Sequence, residues 1–247
     1  MKIHKQINKF ISFIGVVRTG HTLIASLLDS HINISISIEQ NPLLRMSKDY
    51  SRKYLFDRIL GYCKKDRMRE RGGYSYHLVG GKQYYIREVQ IIGDSMTSIK
   101  NMRAISNKYT LRKFLKFIGV PIYWIWVIRD PFESAHSGHL ISGRSIDEII
   151  EIYNESYLLS HKFYELRKDK VCLVYLERFI EKPKMQLSRI LDFINIEYSN
   201  EYLDFCSRQV FSKPNLICDT SQWSVQQINR MNKLIKNIPE LNCYKSR

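Results

Sequence analysis

Five apolar runs, separated for the most part by stretches with helical spacing, set the tightest limit on how this chain can fold. They are "FISFIGVV" (10–17), "INISISI" (32–38), "VQIIGD" (89–94), "PIYWIWVIR" (121–129) and "KVCLVYL" (170–176). The first is compact and rich in β-branched residues, which suits a strand buried on both faces. The second alternates apolar with small polar side chains, a pattern of period two. Between the runs lie amphipathic segments. "HTLIASLLDSH" places Leu23, Ile24, Leu27 and Leu28 at helical spacing, and "NKYTLRKFLKFIG" ends at Gly119 just before Pro121. "SIDEIIEIYNESYLLSHKFYELRK" opens with a capping box from Ser145 to Glu148, and "KPKMQLSRILDFIN" and "WSVQQINRMNKLIKNI" also read as helices. Strands alternating with helices imply a mostly parallel central sheet flanked by helices on both faces, an α/β fold.

The 247 residues carry no internal repeat and no low-complexity linker, so residues 1–247 read as a single domain. Residues 45–90 break the alternation and read as a variable insertion or a substrate-side flap. Within them, 62–85 is basic, Tyr-rich and punctuated by Gly72-Gly73 and Gly80-Gly81, and it contains His77 as a weak substrate-site candidate. The N-terminal "MKIHKQINKFISFIGVV" has basic residues before a short apolar stretch, as a signal peptide does. No small-x-small cleavage site follows, and a strand entering a loop explains it better. No apolar segment reaches the ~20 residues of a membrane span. The five cysteines are widely spaced without a C-x-x-C pair, which argues against a zinc site or a disulfide framework. Cys172, inside an apolar run, reads as a small buried hydrophobe. A soluble protein of a reducing, cytoplasmic compartment is expected.

The first chemistry lies between the first strand and its helix, in Gly15-Val16-Val17-Arg18-Thr19-Gly20-His21-Thr22. This is one residue short of a nucleoside-triphosphate phosphate loop, which needs Lys where the chain has His21. A helix start leaves backbone N–H groups unpaired and carries partial positive charge. Gly20 permits close backbone approach, Thr19 and Thr22 offer hydroxyls, and Arg18 adds a fixed charge with a donor fork. Together they form an anion cradle. His21 is shorter than Lys and only partly charged near neutrality, so the cationic role passes to Arg18. Such a cradle suits a ligand with fewer phosphates and no obligatory metal.

A second constellation is "WIWVIRDPFESAHSGHL". Arg129 ends a buried strand, Pro131 suits the first turn of a helix, and Ser137 lies eight residues beyond Arg129. Open α/β sheets bind ligands at strand carboxyl ends, where Arg129 and Ser137 can grip one phosphate. His136 and His139 follow the same turn without partners that would make them metal ligands, and His31 reads as capping or packing at the end of the first helix. Lys and Arg number 39 against 24 Asp and Glu, a net charge of +15 that favours anionic partners without naming one.

These two motifs, in order, resemble the sulfotransferases that use 3′-phosphoadenosine 5′-phosphosulfate (PAPS). "GVVRTGHTLIASLLDSHINI" is similar to their 5′-phosphosulfate loop, which puts Arg18, Thr19, Gly20, His21, Thr22 and Leu23 in the donor-binding positions. "VIRDPFESAHS" resembles their 3′-phosphate motif, with Arg129 and Ser137 as ligands. "LVYLERFIEKPKMQLSRILDFINI" resembles their Tyr-Glu segment, and the tail resembles their closing Pro…Trp helix and terminal Tyr. The resemblance implies a P-loop-like sulfotransferase fold and in-line transfer of a sulfuryl group to a hydroxyl or amine, with the bisphosphate PAP as product and no metal. It also implies a general base at the end of the second strand, where Glu39 stands, with His21 as the rival base and Arg18 on the bridging oxygen. Two positions depart from the family. The chain reads Gly93-Asp94-Ser95 where many relatives carry Lys after Gly-Asp. Near Cys218 it lacks an Arg common before the tail Trp, a charge Lys213 can partly replace. The expected acceptor is a carbohydrate, a glycolipid or a small molecule. The residues leave two alternatives: a nucleotide kinase or triphosphatase, with Asp94 and Asp130 as metal-binding carboxylates, or a non-enzymatic binder of nucleic acid or acidic polysaccharide.

Overall fold

A computed structural model describes residues 6–46, 50–66, 88–213 and 216–244. Five strands form one parallel sheet: β1 (Lys9–Ile14), β2 (Ile34–Ser37), β3 (Ile91–Asp94), β4 (Ile122–Ile128) and β5 (Val171–Tyr175), in the order β2-β3-β1-β4-β5. All four pairings are parallel, and β1, at the centre, sets Ser12 opposite Asp94 on one side and Trp124 on the other. The five apolar runs of the sequence thus supply the five strands. Each is shorter than its run, because β1 stops where Gly15 turns to φ +108° and β2 stops before Glu39 at φ +57°.

Eleven helices follow among the described residues: α1 (His21–Asp29), α2 (Pro42–Arg45), α3 (Arg52–Asp66), α4 (Ile99–Ser106), α5 (Lys108–Ile118), α6 (Pro131–Ser142), α7 (Ile146–Glu165), α8 (Leu176–Glu181), α9 (Pro183–Phe193), α10 (Asn200–Arg208) and α11 (Val225–Asn237). The capping box of α7 forms as expected from Ser145 and Glu148, and Gly119 ends α5 at φ +66°. The periodicity argument missed α3. Within 45–90, residues 52–66 are helical and bury Leu55, Phe56, Ile59 and Cys63 in the core. The remainder of the 62–85 segment, with His77, lies outside the described residues.

Two apolar layers cover the sheet, and alternation along the strands decides which side chain enters which. Phe10, Ile14, Trp124, Trp126 and Ile128 face a layer shared with α3 to α7 and α11. Ile11, Phe13, Ile125 and Val127 face the layer built by α1, α8, α9 and α10. Burying Leu23, Ile24, Leu27 and Leu28 on that side stabilises α1 by about 1.5–3 kcal/mol per side chain. One consequence positions the site. The helix after β1 packs on one face and the helix after β4 on the other, although β1 and β4 are neighbours. Their diverging loops open a crevice at the strand carboxyl ends, where ligands bind in such sheets.

No helix among the described residues is long and apolar enough to cross a membrane. None of the five cysteines is in a disulfide; Cys172 is buried, and burial raises its thiol pKa. His31 packs at the end of α1 as expected, its Nε2 2.9 Å from Glu197 O and its ring edge-on to Tyr202.

Candidate functional site

The crevice brings the two sequence motifs together. Arg18 adopts φ +67°, which a non-glycine residue takes only when its surroundings enforce it. Three contacts do so. Arg18 Nε donates to Ser137 Oγ on α6 at 3.1 Å, Arg129 Nη1 donates to Arg18 O at 3.3 Å, and the Tyr153 hydroxyl from α7 is shared between Val17 O (2.8 Å) and Ser134 O (2.9 Å). Thr19 turns inward, its hydroxyl donating to Val16 O at 3.2 Å. Arg18, Arg129 and Ser137 therefore form one cluster, although Arg18 and Ser137 stand 119 positions apart.

Beyond Arg18 the chain enters α1 with Gly20 at φ +87° and no side-chain cap. The N–H groups of His21, Thr22 and Leu23 precede the first helical bond, which Ile24 N makes to Gly20 O at 3.3 Å. Gly20 has a second reason to lack a side chain, because a Cβ there would lie 2.6 Å from Leu176 Cδ1. Thr22 is half-buried, and Leu23 points its side chain into the core rather than the crevice. His21 is 8% exposed and its Nδ1 has no hydrogen-bond partner among the described residues. Burial, aided by the positive charge of Arg18, lowers its pKa to about 4, so the ring is neutral at pH 7. A buried ring nitrogen without a partner, an uncapped helix start and two guanidinium groups fit an anion with hydrogen-bonding oxygens.

Asp130 and Glu133 frame the second motif. Asp130 Oδ1 caps α6 by accepting from Phe132 N (2.8 Å) and Glu133 N (3.3 Å). Its own N–H donates to Glu177 Oε1 at 2.9 Å, and Glu177 Oε2 accepts from the Tyr244 hydroxyl at 2.7 Å. The tail is thereby tied under the Arg-Asp-Pro turn, and the Trp223 ring packs tilted against Phe132 with centroids 5.3 Å apart. Asp94, the other carboxylate considered as a metal ligand, is buried and wholly engaged by donors. Oδ2 accepts from Ser37 Oγ (2.7 Å) and Gln40 N (2.8 Å), and Oδ1 from Asn41 N (3.1 Å) and Met96 N (3.2 Å). Both aspartates thus act as fasteners of the backbone, which weighs against the kinase reading.

Glu39 is exposed on the loop that Asp94 holds. It and Asn41 both have positive φ, +57° and +49°, so the turn is fixed against its intrinsic preference. Lys213 is exposed, and no contact among the described residues joins it to the Arg18 cluster. His136 is buried, with its ring 6.3 Å from that of His139. Among the described residues, the side chains with metal-ligand spacing are His161 and Glu165 near the end of α7 and Glu240 in the tail, with His161 about two turns along α7 from Tyr153. Glu133, Tyr153 and Glu177 escaped sequence reasoning as parts of the site, and Asp94, read there as a metal-binding candidate, fastens the backbone instead. Tyr153 fits the apolar stripe of α7, and only the fold shows where its hydroxyl goes.

No family model and no curated protein sequence matches the chain. Solved structures do match, over nearly its whole length. Sulfotransferase STF9 from Mycobacterium avium is 9% identical and superposes with a TM-score of 0.57, covering 98% of this chain and 78% of that one. The sulfotransferase domain from the curacin biosynthetic pathway is 12% identical, with a TM-score of 0.55 and 98% and 99% of the two chains covered. Mouse sulfotransferase SULT7A1, complexed with PAP, is 11% identical, with a TM-score of 0.52 and 96% and 88% covered. The chain has the sulfotransferase fold, as the two motifs led us to expect.

Proposed function

We propose that this protein is a sulfotransferase that takes a sulfuryl group from PAPS and places it on a hydroxyl or amine of a carbohydrate, glycolipid or small-molecule acceptor. The observation that carries the reading is the Arg18–Ser137–Arg129 cluster at the β1/β4 crevice. It joins a helix start suited to a 5′-phosphosulfate with a second cation suited to a 3′-phosphate. A likeness to a mouse enzyme complexed with PAP supports the same donor.

When bound, the donor supplies the activated sulfuryl group; the protein supplies position and charge. Arg18 and the N–H groups of His21, Thr22 and Leu23 hold the 5′ end, and Arg18 stabilises charge developing on the bridging oxygen. Arg129 and Ser137 hold the 3′-phosphate. Glu39 accepts the acceptor's proton as the bond from sulfur to the acceptor forms and the bond from sulfur to the phosphate oxygen breaks. Thr19 serves the loop's shape instead, through Val16 O. A neutral His21 lines the 5′ end as a hydrogen-bonding group.

A thermal-shift panel tests the donor. Adenosine 3′,5′-bisphosphate is expected to raise the Tm well above AMP or ATP with Mg²⁺, because only the bisphosphate engages both motifs. A larger shift with ATP and Mg²⁺ would return the loop to the triphosphatase class. Transfer of label from ³⁵S-PAPS to a panel of hydroxyl acceptors then identifies the acceptor class.

A further inference from the structure

Glu133 sits in the first turn of α6 with its side chain only 2% exposed. A carboxylate so thoroughly removed from water needs partners. Its Oε2 accepts from the backbone N–H of Ile217 at 2.7 Å and of Cys218 at 3.1 Å, on a segment more than eighty residues away. The same oxygen lies 3.8 Å from Arg129 Nη2, whose side chain is 13% exposed. On its other side, Arg129 Nη1 donates to Arg18 O. The guanidinium is therefore held from two directions, by a carbonyl of the first loop and by a carboxylate of α6. Ser137, one turn further along α6, engages Arg18.

The sign of this arrangement is informative. A carboxylate beside an anion site repels the ligand, and two backbone N–H groups could be satisfied equally well by a neutral oxygen. What a neutral residue cannot supply is a charge that fixes a neighbouring guanidinium. Groups of this kind orient the residues that touch a ligand, and their loss costs affinity although they make no contact with it.

We propose that Glu133 is a positioning residue of the donor site: it orients the Arg129 guanidinium and fastens residues 217–218 beside it, so that the 3′-phosphate meets a cation already in place. The proposal rests on the donor reading above. The repulsion from Glu133 is blunted because the carboxylate is already committed to two backbone N–H donors and to the ion pair with Arg129.

Glu133→Gln separates the roles, since its amide oxygen can still accept from both backbone groups while the charge facing Arg129 is gone. Calorimetric affinities for adenosine 3′,5′-bisphosphate and AMP are the readout, in wild type, Glu133→Gln, Arg129→Ala and the double variant. Positioning predicts that Glu133→Gln binds the bisphosphate about tenfold more weakly and AMP within about twofold of wild type. It predicts also that the substitution has no further effect once Arg129 is Ala. Tighter bisphosphate binding in Glu133→Gln would mean that Glu133 acts only as a repelling neighbour and would overturn the proposal. Equal weakening of both ligands with a lowered Tm would mean a purely structural role and would overturn it too. A wild-type protein with no preference for the bisphosphate over AMP would instead break the donor reading, and this proposal with it, before any variant is compared.

Discussion

At the carboxyl end of β1, the loop from Gly15 to Gly20 is held by α6, α7 and the end of β4, through Ser137, Tyr153 and Arg129. At the carboxyl end of β2, the loop carrying Glu39 is held by Asp94, which accepts from Ser37, Gln40 and Asn41, and by Arg45 and Arg58, which donate to Gln40 O (2.6 Å) and Gln40 Oε1 (3.1 Å). Both loops force a non-glycine residue to positive φ, at Arg18 and at Glu39. The first is largely buried beneath the helices that brace it, whereas the second leaves Glu39 exposed. A phosphate site gains from cations and N–H groups preset in place, while a proton acceptor must remain open to the substrate that delivers the proton.

Substitutions on the two sides sharpen that contrast, beginning with the largest effect. Arg18→Ala is expected to lower kcat by roughly 10²–10³-fold and to weaken binding of the bisphosphate. Turnover assays and calorimetry check this, and full activity would remove Arg18 from the transition state. Glu39→Gln should leave bisphosphate affinity unchanged and lower turnover about 10²-fold. If instead turnover survives and a His21→Gln variant loses it, the base is His21 and the two loops share one role.

Asp94→Asn probes the fastener itself. The amide gives up two of the four acceptor contacts, and a loss of about 1–3 kcal/mol in chemical denaturation is expected. Turnover should fall with bisphosphate affinity spared, because Glu39 is displaced and the β1 loop is not. The pH dependence has a definite sign. Burial pushes the Asp94 carboxyl up to about 6 from an unfolded value near 3.8, against the pull of its hydrogen bonds. Its contribution to stability is thus fully present below pH ~4 and is lost as the pH rises through 6. A Tm falling between these values in wild type, and flatter in Asp94→Asn, is the expected result. The last test concerns His21, whose lowered pKa means that its neutral form is favoured by folding. That contribution is present above the unfolded value of 6.5 and lost as the pH falls through about 4. An imidazole NMR titration should find the ring still neutral at pH 5.5, and a midpoint above 6 would contradict the burial described here.

Much of the fold was legible in the sequence because parallel strands buried on both faces must read as continuous apolar runs. The runs at 10–17 and 121–129 are of this kind, and they became β1 and β4 at the centre of the sheet. The helix α3 was hidden because its buried face, Leu55, Phe56, Ile59 and Cys63, is interrupted by charged residues in a strongly basic stretch. Arg18, Arg129 and Ser137 were nameable because a glycine-bearing strand-to-helix loop and an Arg-Asp-Pro turn are local patterns, written in consecutive residues.

Sequence alone determined, then, the five strands, the helices α1, α5, α7, α9 and α11, and the two loops that carry Arg18 and Arg129. Tertiary structure decided which groups hold those residues in place. Glu133 meets the N–H groups of Ile217 and Cys218, Tyr153 meets Val17 O, and Asp94 meets the backbone after Ser37. Each of these bonds spans tens of residues, and no local spacing encodes them. The physical reason is that a hydrogen bond depends on where folding brings two groups, and a buried polar group must find its partner wherever the fold supplies one.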